Sequence, residues 1–434
     1  MLPIQTLSGL APADLEALLG RRAARVQDVM PAVKAILAEV RRKGDAALRK
    51  YTARFDGVER STIEITRSEI DEACSLIASE TLVALVSAAQ AIWAFHEAVL
   101  PRDITLPRGA DGAVGRRVVP YGRVGVYVPG GRAAYPSTVL MGAIPARVAG
   151  VAEVVLCSPP RRDGRVSQEV LAASRIAGVD RVFCVGGAQA IGAMAYGTES
   201  VPAVEKIVGP GNLFVAAAKS AVADHVGIDF LAGPTEVLVV SDGSGPAEFV
   251  AADLVSQAEH DPEAVPILVT TSLRHAREVD AEVVRALEEL PRRAIAEAAL
   301  RRNGRILLTR TLDEAIDFSN CFAPEHLVLM TKAPRALFRR VRHAGAVFLG
   351  KYSPVSLGDF CAGPNHVLPT AGAGRVASGL STADFVKTIA WQEFTATGLR
   401  RAARVAETIA GVEGLEGHAR AIRVRAKSAR LNAQ

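Results

Sequence analysis

Cysteine is scarce in this chain. There are five in 434 residues (Cys74, Cys157, Cys184, Cys321 and Cys361), an odd number with no C-x-x-C spacing. That excludes a disulfide framework and a cysteine-rich zinc module. Cys157 and Cys184 lie inside apolar, strand-like runs and read as core residues. Long hydrophobic runs are also missing. The longest, Val139 to Leu156, is interrupted by Pro145, Arg147 and Glu153, so it is not a membrane span. The start, MLPIQTLSGLAPADLEALLG, has no basic segment leading into an apolar one, so no signal peptide is read and the cytoplasm is the expected compartment. No short tandem repeat or low-complexity linker breaks the chain. A distributed positive charge is absent too. The net +5 is carried by the segment from Leu399 onward, where eight basic residues face three acidic ones, and the remainder is neutral. A nucleic-acid footprint is therefore not expected, and the basic tail reads as a solvated helix face.

What is present is a globular composition, 49% hydrophobic and 22% charged. The length suggests roughly two to four domains. Residues 12 to about 100 read as helices: Val29, Val33, Ile36, Leu37 and Val40 recur at three- and four-residue spacing. Glu80 to Leu100 reads the same way and stops at Pro101. From Ala113 the texture becomes β-branched and glycine-punctuated. Strands and helices then alternate: AEVVLCSPP, a helix over Ser167–Ala177, RVFCVGG, a helix in AQAIGAMAYG. A second series follows Gly233-Pro234. It holds EVLVVSD, a helix over Pro246–His260, VPILVTT, a long charged helix to about Asn303, then RILLTR, HLVLMT and GAVFLG. Strands that end in glycine turns and open helices indicate parallel, doubly wound sheets. The last section, from about Leu380, reads as helical and too small for its own core, so it must pack on something else, such as a second subunit.

The chemistry-bearing residues fall into a few groups. A dinucleotide fingerprint is nearly missing: the best match, Gly372-Ala373-Gly374-Arg375-Val376-Ala377, follows Pro369-Thr370 instead of a strand and reads as chance. Other glycine turns do end strands, at Pro129-Gly130-Gly131, Gly186-Gly187 and Gly209-Pro210-Gly211-Asn212. They suit either phosphate binding at a helix start or tight strand–helix packing. SQAEH places Gln257 and His260 three apart on one helical face, workable for a metal or for a helix cap. Pro324-Glu325-His326 precedes a strand, where a carboxylate and an imidazole can point into one cleft or simply form a surface turn. Asp359 and Asn365-His366 share a glycine-rich loop, and His418 lies five residues after Glu413. Together Gln257, His260, Asp359 and His418 form a mixed nitrogen/oxygen set that suits a zinc with open positions. His96, His225, His275 and His343 read as surface or packing residues.

At these motifs the chain resembles the histidinol dehydrogenase family. The matching segments are VYVPGG, VGGAQAIGAMAYGT, GPGN, AGPTEVLVV, DLVSQAEHD, APEHL, SPVSLGDFCAGPNHVLPTAG and HARAIRVR, in family order from about residue 115 to 425. The resemblance implies an α/β fold: two doubly wound, incomplete Rossmann-like domains with N-terminal helices and a small helical C-terminal domain. The boundaries expected are 1–125 with 236–380 for the metal and substrate domain, 126–235 for the NAD domain, and 381–434 for dimerisation. It also implies a zinc-dependent, NAD-linked, two-step oxidation of L-histidinol through L-histidinaldehyde to L-histidine, the last step of histidine biosynthesis. By the same resemblance Gln257, His260, Asp359 and His418 are zinc ligands. His326 is the shared base and Glu325 the water activator. Thr235 and Glu413 join His326 and the ligands in holding substrate. Tyr127, Gln189 and Asn212 contact NAD. A homodimer in which Glu413 and His418 reach the neighbouring site is implied, with no nucleic-acid or membrane partner. Two departures stand out: Thr235 where many relatives carry Ser, and Phe322 where Tyr is frequent. The competing expectations are a dehydrogenase of another small polar alcohol on the same scaffold, a zinc hydrolase using Glu325, and a non-catalytic protein binding through its basic tail.

Overall fold

The computed structural model describes residues 1–20, 26–130, 134–231 and 233–431. They fall into two compact units, Met1–Val99 with Tyr121–Phe385, and Leu100–Pro120 with the chain from Val386 on.

The larger unit holds two six-stranded sheets. In the first, the strands run in the spatial order Glu64–Ile65, Arg181–Cys184, Glu153–Ser158, Arg123–Tyr127, Lys206–Val208 and Gly227–Ile228. All pairs are parallel except the first, which is antiparallel. Its central strands are runs of Val, Leu and Cys buried on both faces, as a parallel sheet under helices requires. Cys157 and Cys184 are buried there as expected, and burial pushes both thiols up, Cys184 to about 12. The helices Val26–Lys43 and Asp45–Asp56 pack on this sheet. Val33, Ile36, Leu37, Val40, Leu48 and Tyr51 share one core with Tyr127, Phe183 and Ile191. The approach is close enough that a Cβ on Gly192 would lie 2.9 Å from the Leu37 side chain. Sequence grouped these helices with the other sheet. An apolar stripe says that a helix packs, but not on what.

The second sheet is parallel throughout, in the order Ile4–Thr6, Arg305–Leu308, Val265–Thr270, Glu236–Ser241, His326–Met330 and Ala346–Leu349. Register places Val237 opposite His326, and His326 opposite Ala346. Separate apolar cores cover its two faces. Two details differ from the sequence reading. The long charged helix is two, Leu273–Glu288 and Arg293–Asn303, because Pro291 interrupts the hydrogen-bond ladder. The Pro246–His260 helix ends at Ala258, leaving His260 in the turn beyond it.

The smaller unit is not purely helical. It contains a three-stranded antiparallel sheet ordered Val386–Phe394, Gly112–Pro120, Ile104–Pro107, followed by the helices Ala396–Val412 and Glu416–Leu431. The strand Val386–Phe394 escaped the sequence reading because neither of its faces is deeply buried, so no two-residue apolar period marks it. No single described helix is long and apolar enough to cross a membrane.

Candidate active site

The site is built along the amino-terminal edge of the second sheet. His326 opens its strand and Glu325 immediately precedes it. The chain arrives there through Ala323, held at φ 51° where the helix Leu312–Phe322 stops. A non-glycine residue in that left-handed region costs of order 1 kcal/mol. Ala371, at φ 52°, is the other described non-glycine residue with positive φ, and its N–H donates to Glu236 Oε1 at 3.1 Å. Both alanines thus lie within three residues or one hydrogen bond of the site's carboxylates.

Glu325 is buried and its Oε2 accepts from Thr235 Oγ1 at 2.6 Å and from the Glu236 N–H at 2.8 Å. Burial pushes its carboxyl up to about 7, against the opposing pull of His326 and of those two hydrogen bonds. His326 Nδ1 lies 3.0 Å from the Glu236 carbonyl. A carbonyl only accepts, so Nδ1 carries a proton in both charge states, and Nε2 is the nitrogen that presents a lone pair once the ring is neutral. Nε2 is buried without a hydrogen-bond partner among the described residues and sits 3.6 Å from Asp359 Oδ1, beyond hydrogen-bond distance. Burial by itself would lower the imidazole pKa. The Glu325 and Asp359 carboxylates outweigh it and raise the group to about 9.

Gln257 lies in the last turn of the helix Ala247–Ala258. Its Nε2 donates to Thr235 Oγ1 at 2.5 Å, which leaves Oε1 buried and without a hydrogen-bond partner among the described residues. Thr235 therefore bridges Gln257 and Glu325 through one hydroxyl, and the departure from Ser keeps that bridge. His260 is exposed at its turn, with its ring crowded enough for desolvation to lower its pKa against the pull of Asp359. Asp359 is half-buried on the short helix Val355–Phe360. Burial would raise its carboxyl, but His326 and neighbouring imidazoles hold it below its usual value. Among the described residues no three His, Cys, Asp or Glu side chains converge as a metal cage. One carboxylate, one imidazole and an unsatisfied amide oxygen do fit a cation that takes further ligands elsewhere. The helix carboxyl end beneath Gln257 favours positive charge as well.

Sequence reasoning placed His366 in the loop after Asp359 but gave it no role. Its Nδ1 is 2.7 Å from the Asp359 carbonyl and its Nε2 3.4 Å from Thr138 Oγ1. The neighbouring Asn365 donates to the Met141 carbonyl at 2.7 Å. The segment carrying Asp359 is thereby tied to the helix Pro136–Ala149 of the first sheet. His326, Asp359 and His366 line one groove of roughly 650 Å³ with Ala346, Phe348 and Leu380. Phe322, by contrast, is fully buried against Phe318, with ring centroids 5.9 Å apart.

A second cavity, of roughly 390 Å³, opens at the carboxyl ends of the first sheet's strands. Tyr127, Gln189 and Asn212 all line it. Tyr127 Oη accepts from the Gly187 N–H at 3.1 Å, and burial pushes the phenol up to about 12. Gln189 is buried with Oε1 lacking a hydrogen-bond partner among the described residues. Asn212 caps the helix Leu213–Val222, accepting from Phe214 N at 3.0 Å and Val215 N at 3.2 Å. Gly209 needs to be glycine: at φ 113° a Cβ would collide with the Tyr127 carbonyl. Gly131, which the sequence placed in the first glycine turn, lies outside the described residues. The Gly372–Ala377 match forms a 3-10 turn, Ala373–Arg375, and not a strand-to-helix loop.

Glu413 and His418 belong to the smaller unit. Glu413 ends the helix Ala396–Val412, His418 lies in the first turns of Glu416–Leu431, and both are exposed.

A pinned imidazole with a free nitrogen beside a buried carboxylate, on a two-sheet α/β scaffold, defines an enzyme of the acid–base class with a separate cofactor-sized cavity. The histidinol dehydrogenase family profile matches residues 19–426. A histidinol dehydrogenase of Methanosarcina mazei is 48% identical over 420 residues, 96% of each chain. One of Geobacillus kaustophilus is 49% identical, covering 91% of this chain and 93% of its own. The crystal structure of the Elizabethkingia anophelis histidinol dehydrogenase superposes with a TM-score of 0.94 at 36% identity, covering 98% of both chains. The chain belongs to the histidinol dehydrogenase family, and the α/β fold read from sequence is the one observed.

Proposed function

We propose that this enzyme oxidises L-histidinol to L-histidine in two NAD-linked steps through L-histidinaldehyde, with zinc bound at Gln257, His260, Asp359 and His418. The observation that carries this reading is His326: its Nδ1 proton is committed to the Glu236 carbonyl, and its Nε2 is buried without a hydrogen-bond partner among the described residues, on a side chain that lines the groove. When bound, zinc orients the imidazole and amine of the substrate, and NAD accepts the hydride.

His326 Nε2 takes the hydroxyl proton as the alcohol carbon becomes an aldehyde. Glu325 lies next to it, with a carboxyl that burial brings near neutrality, and serves as base for the water that adds to the aldehyde. His326, having released its first proton to solvent, then removes the hydroxyl proton of the hydrate as a second hydride leaves the carbon, which completes the four-electron oxidation. The Glu236 backbone supports both partners at once: its N–H holds Glu325 and its carbonyl holds His326. Thr235 is kept at the substrate by its double hydrogen bond to Gln257 and Glu325.

In this reading Tyr127, Gln189 and Asn212 hold NAD. The protein works as a homodimer in which Glu413 and His418 of one chain complete the site of the other. A reducing cytoplasmic setting belongs to the same reading, in keeping with five unpaired cysteines. The test is a coupled count. Zinc-loaded protein given L-histidinol and NAD at mildly alkaline pH should form two NADH per histidinol consumed. A ratio of one, or turnover only with another alcohol, sinks the assignment.

A further inference from the structure

The first sheet presents a nucleotide-sized cavity without the usual adenosine-side chemistry. In a dinucleotide-binding βαβ unit, an acidic residue after the second strand receives the ribose hydroxyls. Here that strand, Glu153–Ser158, runs into Pro159-Pro160, neither of which can accept through a side chain. Both prolines line the cavity.

A carboxylate reaches the same cavity from another element. The helix Asp45–Asp56 packs on this sheet, and its last two residues, Phe55 and Asp56, form part of the cavity wall. Asp56 is the only charged side chain among the described residues that line it. Its Oδ2 is buried and has no hydrogen-bond partner among the described residues. That is costly unless a ligand supplies donors. Burial raises the carboxyl to about 6, so it remains an anion at neutral pH. It lies near enough to Tyr127 to add to the upward push that burial exerts on that phenol. Phe55 and Phe214, both more than a third exposed, offer apolar ring surface on the same cavity.

We infer that Asp56 accepts the adenosine ribose hydroxyls of the dinucleotide and makes the enzyme prefer NAD to NADP. The inference rests on the reading of this cavity as the NAD site. Two features favour it over a role in packing alone. Oδ2 makes no hydrogen bond among the described residues that its loss would break, and no described basic side chain lines the cavity to meet the extra phosphate of NADP. An ionised carboxylate accepts from a diol and repels a phosphomonoester, so one group supplies both attraction and exclusion.

The experiment is calorimetric titration of the zinc-loaded wild type, Asp56→Asn and Asp56→Ala with NAD and with NADP, without substrate. Thermal melts confirm that each variant is folded. Wild type should bind NAD more tightly than NADP. Each variant should lose roughly tenfold to a hundredfold in NAD affinity, the range for a hydrogen bond to a charged group. NADP affinity should hold or improve, so the preference collapses. Equal weakening toward both nucleotides, or no change toward either, overturns the inference while leaving the dehydrogenase reading intact. A wild type that binds neither nucleotide overturns both.

Discussion

The two six-stranded sheets share one winding pattern, yet they use opposite edges. The first offers its carboxyl edge, where Tyr127 ends a strand and the helices Gly187–Tyr196 and Leu213–Val222 begin. Helix amino ends carry free N–H groups and partial positive charge, which suits a diphosphate. The second sheet offers its amino edge, where Glu236 and His326 open strands and the helix Ala247–Ala258 ends beneath Gln257. Helix carboxyl ends carry free carbonyls and partial negative charge, which suits a cation. One winding pattern thus yields an anion-friendly end and a cation-friendly end. In the proposed reading, the ligand at each edge matches the backbone polarity there before any side chain is considered.

The side chains differ in the same sense. At the second sheet they are braced by one another, as in the Thr235 hydroxyl shared by Gln257 and Glu325. At the first sheet the contacts are largely glycine backbone, ring faces and a helix cap. Changes at the braced edge should therefore cost chemistry, and changes at the glycine edge should cost binding or stability.

The largest expected effect is at His326. His326→Ala should slow both oxidation steps by about 10²–10⁴, the usual worth of a positioned base. Stopped-flow traces of NADH formation from histidinol and from histidinaldehyde would show it, and a defect confined to one step would break the shared-base assignment. Glu325→Gln should slow the aldehyde step by about 10²-fold and the alcohol step much less. Equal losses in the two traces would refute the division of labour.

Next in size is metal retention. Gln257→Ala and His418→Ala should each hold zinc roughly 10–100-fold more weakly, an effect of the order known for groups that tune a metal site. Metal content after dialysis against a graded chelator reads this directly, and normal retention removes that residue from the ligand set. NAD binding should be unaffected in both, which separates the two edges.

A smaller effect concerns His96, on the helix Ser79–Ala98. It is fully buried, both ring nitrogens lack hydrogen-bond partners among the described residues, and burial lowers its pKa to about 4. The folded value is depressed, so the unfolded chain binds more protons below its own value of about 6.5. Stability is fully present above about pH 6.5 and falls as pH drops toward 4, by roughly 3 kcal/mol over that window. His96→Leu should flatten this part of a denaturation-versus-pH curve; an unchanged slope would show that another group controls it. The smallest effect is at Asn212. Asn212→Ala removes a helix cap worth about 1 kcal/mol, and NAD affinity should fall with it. A loss of stability with NAD affinity intact would confine Asn212 to capping.

Much of the fold was legible in the chain. EVLVVSD, VPILVTT, RILLTR, HLVLMT and GAVFLG are all strands, because buried parallel strands are short apolar runs between turn signals. Ile4–Thr6 and Glu64–Ile65 were not legible, since strands of three and two residues carry no period. The Glu325-His326 pair was visible as a motif, but a surface turn would read the same. What distinguishes them is the Glu236 backbone and the Thr235 hydroxyl, some 90 residues away. His366 was given no role, and Asp56 was missed, for a related reason. Nothing local marks a histidine that will hold another residue's carbonyl, or a helix-end carboxylate that will meet a distant cavity.

By itself the sequence determined the strand and helix alternation, the family, and the residue types available for proton transfer, because apolar period and short motifs are local properties. Only the tertiary structure decided where polar side chains converge at each sheet edge, which His326 nitrogen the backbone holds, and which sheet the N-terminal helices cover. Those depend on parallel register and on helix packing between residues distant in the chain, and no local pattern encodes them.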